Sequence, residues 1–352
     1  MNQPLISIGK ESPLLVTGAR GFIGKRVVNR LLEDGFRNIR CFVRSAGDLP
    51  ELENLASKTG ANLQIIRGNL LSPEDCAKAV KDVQVIYHLA AGKGIKSFPE
   101  AYLHSVVTTR NLMEAALQDG NLRRFVNVSS FAVYSNVRMR PGALFDESCP
   151  MEDKPAETGD AYAYAKIKQD EIVMEYGEKR HLPYVILRPG VVYGPGSGGI
   201  HGRIGIDTFG PFLHMGGSNP IPMNYVDNCA EAVVLAGLID GVDGEIFNVV
   251  DDDLPTSRQF LKMYKKNVKN FKSHYVPKIA SRLFCIFWGK YSISSDGQLP
   301  PIFNYRRWSV DWKGNKYSNS KLKQMLGWKP RIPFSEASTR YFEYARTLEG
   351  RQ

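Results

Sequence analysis

The sequence predicts an α/β fold: a doubly wound parallel sheet followed by a smaller C-terminal region that binds substrate. Two observations carry this expectation. Over the first 190 residues, short β-branched runs alternate with segments of helical apolar spacing; that alternation builds parallel strands with helices on both faces. Three glycines, Gly18, Gly21 and Gly24, also stand between the first apolar run and the first helical segment, where a tight turn must lead from strand to helix.

In order, "PLLVTG", "IRCFVR", "LQIIRGN", "VQVIYHLAA", "RRFVNVSS" and "PYVILRPG" are short, rich in β-branched residues and closed by Gly, Ser or a charge, as buried strands are. Between them, "GKRVVNRLLEDG", "PEDCAKAVKD", "AYLHSVVTTRNLMEAALQDG" and "AYAYAKIKQDEIVMEYGEK" repeat apolar residues at helical intervals. After "RPGVVYGPG" the rhythm gives way to a glycine-rich loop. It resumes in "PMNYVDNCAEAVVLAGLID", where Asp227 or Asn228 could cap a helix, and in the strand-like "GEIFNVV". From about residue 253 onward the pattern is one of short helices, loops and aromatics. The expected division is a dinucleotide-binding domain over 1–195, also receiving about 220–252, and a substrate-binding region over 196–219 and 253–352.

Composition narrows the classes. A 352-residue chain with 43% hydrophobic residues can bury a sizeable core. Five scattered cysteines with no CxxC pair are expected to be reduced thiols in a cytoplasmic protein, and no metal site is expected. No apolar run approaches the ~18 residues of a membrane span, so a soluble protein is expected. The formal net charge of +10 suits phosphorylated small molecules better than nucleic acid, because the basic residues are spread along the chain with no nucleic-acid motif. "VPKIASRLFCIFWGKYS" could form a membrane-surface or partner helix, but its apolar core is short and a packed helix of the second region is the favoured reading.

The glycine triplet fits a pyrophosphate: Gly18 permits the turn, Gly21 lets the backbone approach the anion, and Gly24 lets helix pack on strand. A carboxylate about 20 residues further on would bind the ribose hydroxyls of NAD, but Arg44 stands there. With Arg20 it could pair with a 2′-phosphate, so NADP is expected, with NAD as the alternative. Asn69 lies where an adenine contact would fall, and Leu89, Ala90 and Ala91 supply small residues where backbone passes the cofactor.

"GDAYAYAKIKQDEIV" holds two tyrosine–lysine pairs at the same spacing, Tyr162 with Lys166 and Tyr164 with Lys168. Residues two apart on a helix point about 200° apart, so only one pair can face a cofactor. The face through Lys168 continues into Glu171, Glu175 and Glu178, which describes a solvated surface. The face through Tyr162 continues through Ala165, Lys166, Gln169, Ile172, Val173 and Tyr176, and is expected to be buried. Beside an ammonium, the Tyr162 phenol is expected to have a lowered pKa suited to acid–base work. Ser130, at the C-terminal end of the fifth strand, is the expected partner for a substrate oxygen; Ser129 should point away.

Together, the glycine triplet, Ser130 and the Tyr162–Lys166 pair resemble the extended short-chain dehydrogenase/reductase family, as do "HLAA", "LRPGVVYGPG", "YVDNCAEAVVLA" and "LGWKP". The resemblance implies a Rossmann-type sheet, Tyr162 as proton donor or acceptor, Lys166 on the nicotinamide ribose, and Ser130 on the substrate oxygen. It implies cofactor contacts from Gly18, Arg20, Gly21, Phe22, Ile23, Gly24, Arg44, Asn69, Leu70, Leu89, Ala90, Ala91, Tyr162, Lys166, Pro189 and Val191. Members acting on nucleotide sugars look most similar, which implies an epimerase or ketoreductase of a nucleotide sugar. Arg306 and Arg307 suit its diphosphate. The alternative is an NADPH-dependent reductase of a non-sugar carbonyl, similar to dihydroflavonol reductases or hydroxysteroid dehydrogenases. A sensing protein without chemistry is disfavoured by the intact catalytic set, and a homodimer is allowed for. Phe131 and Ala132 stand where dehydratases carry Asp-Glu, which disfavours dehydration. Ser105 stands where the family often has Asn. His201, Arg203 and His214 either touch substrate or tie down their loop.

Overall fold

The structure, a computed structural model, describes residues 8–44, 50–92, 97–208, 210–295, 298 and 303–350. In chain order the first half runs β1 (Leu14–Thr17), α1 (Phe22–Glu33), β2 (Asn38–Val43), α2 (Pro50–Thr59), β3 (Asn62–Arg67), α3 (Pro73–Val80), β4 (Val85–His88), α4 (Phe98–Tyr102), α5 (Thr108–Asp119), β5 (Arg124–Val128), β6 (Leu144–Phe145), α6 (Ala161–Arg180), β7 (Tyr184–Pro189) and β8 (Val191–Tyr193). The second half follows with β9 (Gly205–Ile206), β10 (Phe212–His214), β11 (Met223–Tyr225), α7 (Val226–Leu238), β12 (Ile246–Val249), α8 (Ser257–Asn267), β13 (Ser273–Tyr275), α9 (Lys278–Ser294), α10 (Tyr305–Trp312), β14 (Lys316–Tyr317), α11 (Ser320–Leu326) and α12 (Phe334–Glu349).

Seven strands form one parallel sheet in the order β12-β7-β5-β4-β1-β2-β3. Chain direction across the sheet reverses between β1 and β4, and ligands of such sheets bind in the crevice at that point, beyond the strands' C-terminal ends. Alternate residues serve opposite faces. Leu14 and Val16 pack with Val27, Val28 and Leu31 of α1 and with Val233 of α7; Leu15 packs with Cys76 of α3, Leu112 of α5 and Val173 of α6.

Local signals fix the helix ends. Ser72 caps α3 by accepting from the Asp75 N–H, with Pro73 in the first turn. Asp160 caps α6, accepting from Tyr162 N and Ala163 N, and Thr256 with Gln259 forms a capping box on α8. α7 starts two or three residues earlier than the sequence suggests: Tyr225, not Asp227 or Asn228, is its N-cap, and Asp227 lies in the first turn, where a carboxylate favours the helix dipole. Over the C-terminal ends of the strands lies a separate aromatic cluster that includes Tyr193, Phe260, Tyr264, Tyr341 and Phe342. Among the described residues no helix is long and apolar enough to cross a membrane, and no group of three or more His, Cys, Asp or Glu could hold a metal.

Candidate active site

The loop after β1 is shaped by contacts that exclude any side chain. Gly18 adopts φ +69°, and a Cβ there would lie 3.0 Å from Ala90 N; a Cβ on Gly24 would sit 2.1 Å from Gly18 O. The glycines therefore press the first turn of α1 against β1 and the Leu89–Ala90 backbone after β4. α1 opens at Gly21 with no side-chain cap and no acidic residue in its first turn. Unsatisfied N–H groups and the positive end of the dipole thus point out of the turn. An uncapped helix terminus in a cradle that a Cβ would fill fits the pyrophosphate of a dinucleotide.

Around the cradle, Arg20 and Arg44 are exposed, with Arg44 immediately after β2. Phe22 lies against Gly196, and Ile23 is half-buried. Asn69 is exposed and its side-chain oxygen accepts from Leu71 N. Leu70 is buried, with its carbonyl accepting from Asn111 Nδ2. Leu89, Ala90 and Ala91 are half-buried just beyond the C-terminal end of β4, and Pro189, which ends β7, and Val191, which opens β8, are buried.

Beside this loop, Ser130 follows β5, and its hydroxyl acts on the Tyr162 phenol to lower the phenol's pKa; the same hydroxyl accepts from Ala132 N at 3.2 Å. Ser129 is buried toward Asp170, so the two serines diverge as strand alternation requires. Tyr162 is half-buried, while Ala165, Lys166, Gln169, Ile172 and Val173 are all buried along one face of α6. Lys166 Nζ donates to Val128 O and to Gln169 Oε1, both at 2.8 Å.

Tyr164 departs from expectation. It is half-buried, edge-on to Phe98 at 5.2 Å between ring centroids and near Tyr102. A ring next to α4 gains contact that the helical wheel of α6 alone cannot show. Lys168 is half-exposed and pairs with Glu171 at 2.7 Å. The Tyr162 phenol also departs: burial is the largest influence and raises its pKa, the neighbouring Ser130 hydroxyl opposes this, and Asp160 and Asp170 add to the rise. The Lys166 ammonium is turned to Val128 O and Gln169 instead, and burial lowers its own pKa to about 8, against the opposing charge of Asp170.

Sequence reasoning missed the groups behind Lys166. Gln169 Nε2 donates to Thr109 Oγ1 at 2.8 Å; Thr109 Oγ1 donates to Ser105 O and meets His88 Nε2 at 2.8 Å. His88 Nδ1 meets Thr17 Oγ1 at 2.7 Å, and Thr17 Oγ1 accepts from Ala90 N. Burial, aided by the Lys166 charge, pushes the His88 pKa down to about 3. The ring is therefore neutral, and the hydrogen count closes with its proton on Nε2. An unbroken buried chain of hydrogen bonds thus links Lys166 on α6 to Thr17, the residue of β1 that leads into the glycine turn. Ser105 lies in a π-helical turn, Leu103–Val107, and accepts from Gly92 N at 3.1 Å. Beneath Lys166, Asp170 holds Arg188 at 3.0 Å and accepts from Asn127, anchoring α6 to β5 and β7.

Toward the second region, the loop cations are engaged. Arg306 is held by Glu152, Asp153 and Glu157, so its charge is neutralised and it no longer suits a diphosphate. Arg307 lies near Asp160 and Asp311. Arg203 donates to Val310 O, His201 Nδ1 accepts from Arg203 N, and His214 bonds Ser257, all of which tie down the loop.

The profile of the NAD dependent epimerase/dehydratase family matches residues 14–249, which span the glycine loop, Ser130, Tyr162, Lys166 and every strand of the main sheet. The chain is similar to the mouse (Mus musculus) decarboxylating sterol-4-alpha-carboxylate 3-dehydrogenase, 23% identical over 95% of this chain and 91% of that protein. It is also similar to cinnamoyl-CoA reductase 1 of Petunia hybrida, 31% identical over 51% of this chain and 54% of that one. Its fold matches a crystal structure of Bacillus cereus UDP-glucuronic acid 4-epimerase in complex with UDP-glucuronic acid and NAD, with a TM-score of 0.69 and 21% identity over 96% of this chain and 99% of that one. With two-thirds of its length under one family profile, this chain belongs to the NAD dependent epimerase/dehydratase family.

Proposed function

We propose that the protein is an NAD(P)-dependent oxidoreductase acting on a hydroxyl or carbonyl carbon, with Tyr162 as the acid–base group. The observation that supports this reading is the Ser130 hydroxyl set beside the Tyr162 phenol, with Lys166 buried one turn further along α6, beyond the C-terminal end of β5. The dinucleotide, when bound, supplies or accepts the hydride. Tyr162 Oη gives a proton to the substrate oxygen or takes one from it, and Ser130 Oγ orients that oxygen by a second hydrogen bond. Lys166 spends two of its three N–H donors on Val128 O and Gln169; the third would be left for a ribose hydroxyl of the bound dinucleotide. Exposed Arg44, with no carboxylate at the ribose position, supports NADP over NAD.

The substrate of this reading is a nucleotide sugar, supported by the sequence resemblance and by the ligand of the Bacillus cereus epimerase. A second reading, a non-sugar carbonyl or secondary alcohol, is favoured by one specific observation: Arg306, the cation offered for a diphosphate, is already neutralised by three carboxylates. The near full-length relative acts, by its name, as a sterol carboxylate dehydrogenase, which agrees with that reading. Phe131 is buried in an aromatic cluster with Tyr134 and Phe145, so neither it nor Ala132 offers the carboxyl pair of a sugar dehydratase, and epimerisation or redox chemistry is preferred to dehydration.

The test is a pair of variants. Tyr162→Phe should lower turnover about 10²- to 10⁴-fold, the usual contribution of a positioned acid–base group. Tyr164→Phe keeps the ring against Phe98 and should leave turnover unchanged. Equal turnover in Tyr162→Phe and wild type would refute the assignment. Tightly bound nicotinamide with no net cofactor turnover on a nucleotide sugar indicates epimerisation; stoichiometric NADPH consumption indicates reduction.

A further inference from the structure

α9 is packed the wrong way round for a helix that serves only its own core. Its buried positions are small, Ser281, Cys285 and Ser292, with Ser281 Oγ accepting from Trp308 Nε1 of α10. Its large apolar side chains face outward: Ile279 is 76% exposed, Phe287 66%, Tyr291 63% and Ile293 80%, with Leu283 and Phe284 beside them. Ile279, Leu283, Phe287 and Tyr291 stand four apart and so share one face. Single exposed apolar residues are ordinary, but a contiguous stripe of this size marks a contact surface. The sequence favoured a packed helix here, and the outward face is what packing leaves uncovered.

Charge identifies what covers it. Residues 254–295 carry nine Lys and Arg and no Asp or Glu, so although basic residues are spread along the chain, its positive excess arises almost wholly where acids are missing. On α9 these cations are Lys278, Arg282 and Lys290, the last two exposed at the margins of the apolar stripe. A second copy of this chain would bring the same uncompensated cations against themselves across a two-fold axis. A nucleic acid would gain nothing from Ile279, Leu283 or Ile293. A surface with an apolar interior and an anionic skin satisfies both features.

We propose that α9 docks the protein on an anionic lipid surface, lying in the interfacial plane with Ile279, Leu283, Phe287 and Tyr291 among the acyl chains and Arg282 and Lys290 at the headgroups. The helix does not cross the bilayer.

Co-sedimentation of the full chain with phosphatidylcholine vesicles, with and without phosphatidylserine, tests this. Wild type should partition onto the phosphatidylserine vesicles and leave them as salt rises. Arg282→Gln and Lys290→Gln should each weaken partition about fivefold, and Ile279→Ser with Phe287→Ser at least tenfold. All four side chains are exposed, so circular dichroism and the unfolding midpoint should match wild type and show that loss of partition is not loss of fold. No partition of wild type, or partition unchanged in the Ile279→Ser/Phe287→Ser variant, overturns the proposal. A wild-type dimer that this variant converts to monomer without lipid overturns it in favour of self-association. Duplex DNA binding that displaces the vesicles and ignores the apolar substitutions overturns it in favour of nucleic acid.

Discussion

Replacing Gln169 by Leu removes one of the two acceptors that hold the Lys166 ammonium, at 2.8 Å, in a fully buried position. A hydrogen bond from an ammonium contributes about 2 kcal/mol and one from a neutral amine about 1 kcal/mol, so the protonated form loses about 1 kcal/mol more than the neutral one. At 1.36 kcal/mol per pKa unit, that lowers the Lys166 pKa by about 0.7 unit. The starting value is already down at about 8 through burial, so the variant begins to lose the ammonium near neutral pH. The basic limb of the kcat/KM profile, which reports groups of the free enzyme, should move to lower pH in Gln169→Leu. It should move to higher pH in Gln169→Glu, where a carboxylate faces the ammonium. A merely structural role would lower activity equally at every pH. Limbs that coincide with wild type in both variants would refute the reasoning.

Two further outcomes follow from separate parts of the molecule. Arg44→Asp should weaken NADPH relative to NADH by tenfold or more, since it replaces a phosphate partner with a like charge; titration of both cofactors checks this, and an unchanged preference removes the 2′-phosphate reading. Asp251, which accepts from Asn224, Tyr225 N and Asn228, is pushed up to about 7, burial outweighing those hydrogen bonds. A carboxyl raised in the fold favours the native state fully below pH ~4, and that contribution fades as pH rises through about 7, by about 4 kcal/mol at most. Urea unfolding at acid and neutral pH should show this fall in wild type and not in Asp251→Asn. Equal pH slopes in the two proteins would contradict it.

The sheet was legible because its signals are local: short apolar runs rich in β-branched residues, closed by turn residues, and the glycines that a Cβ would obstruct. α2 was not, because among its described side chains three, Leu52 and Ala56 with the half-buried Leu55, pack on the core, too few in ten residues for a period to stand out. The Tyr162–Lys166 face could be chosen over its rival because the glutamates after Lys168 differ from the apolar residues after Lys166. What lies behind Lys166 could not be seen. Gln169, Thr109, His88 and Thr17 come from α6, α5, β4 and β1, and only packing brings their polar atoms into one chain. Arg306 misled for the same reason, since Glu152, Asp153 and Glu157 reach it from about 150 residues upstream. A charge read in sequence is a free charge until its partner is placed.

The last strand of the main sheet has a consequence for how the chain is made. β12 pairs with β7, but 56 residues separate them, and α7, which covers Val85, Val126 and Val185, arrives within that interval. As the nascent chain leaves the ribosome, the part of one sheet face that lies beneath α7 stays bare until residue 238 has emerged, and β7 remains an unsatisfied edge until residue 249 has. Cutting the protein after residue 195 should therefore yield an aggregating fragment, not a small cofactor-binding domain, and synthesis in the cell has to shield that edge until the final strand closes it.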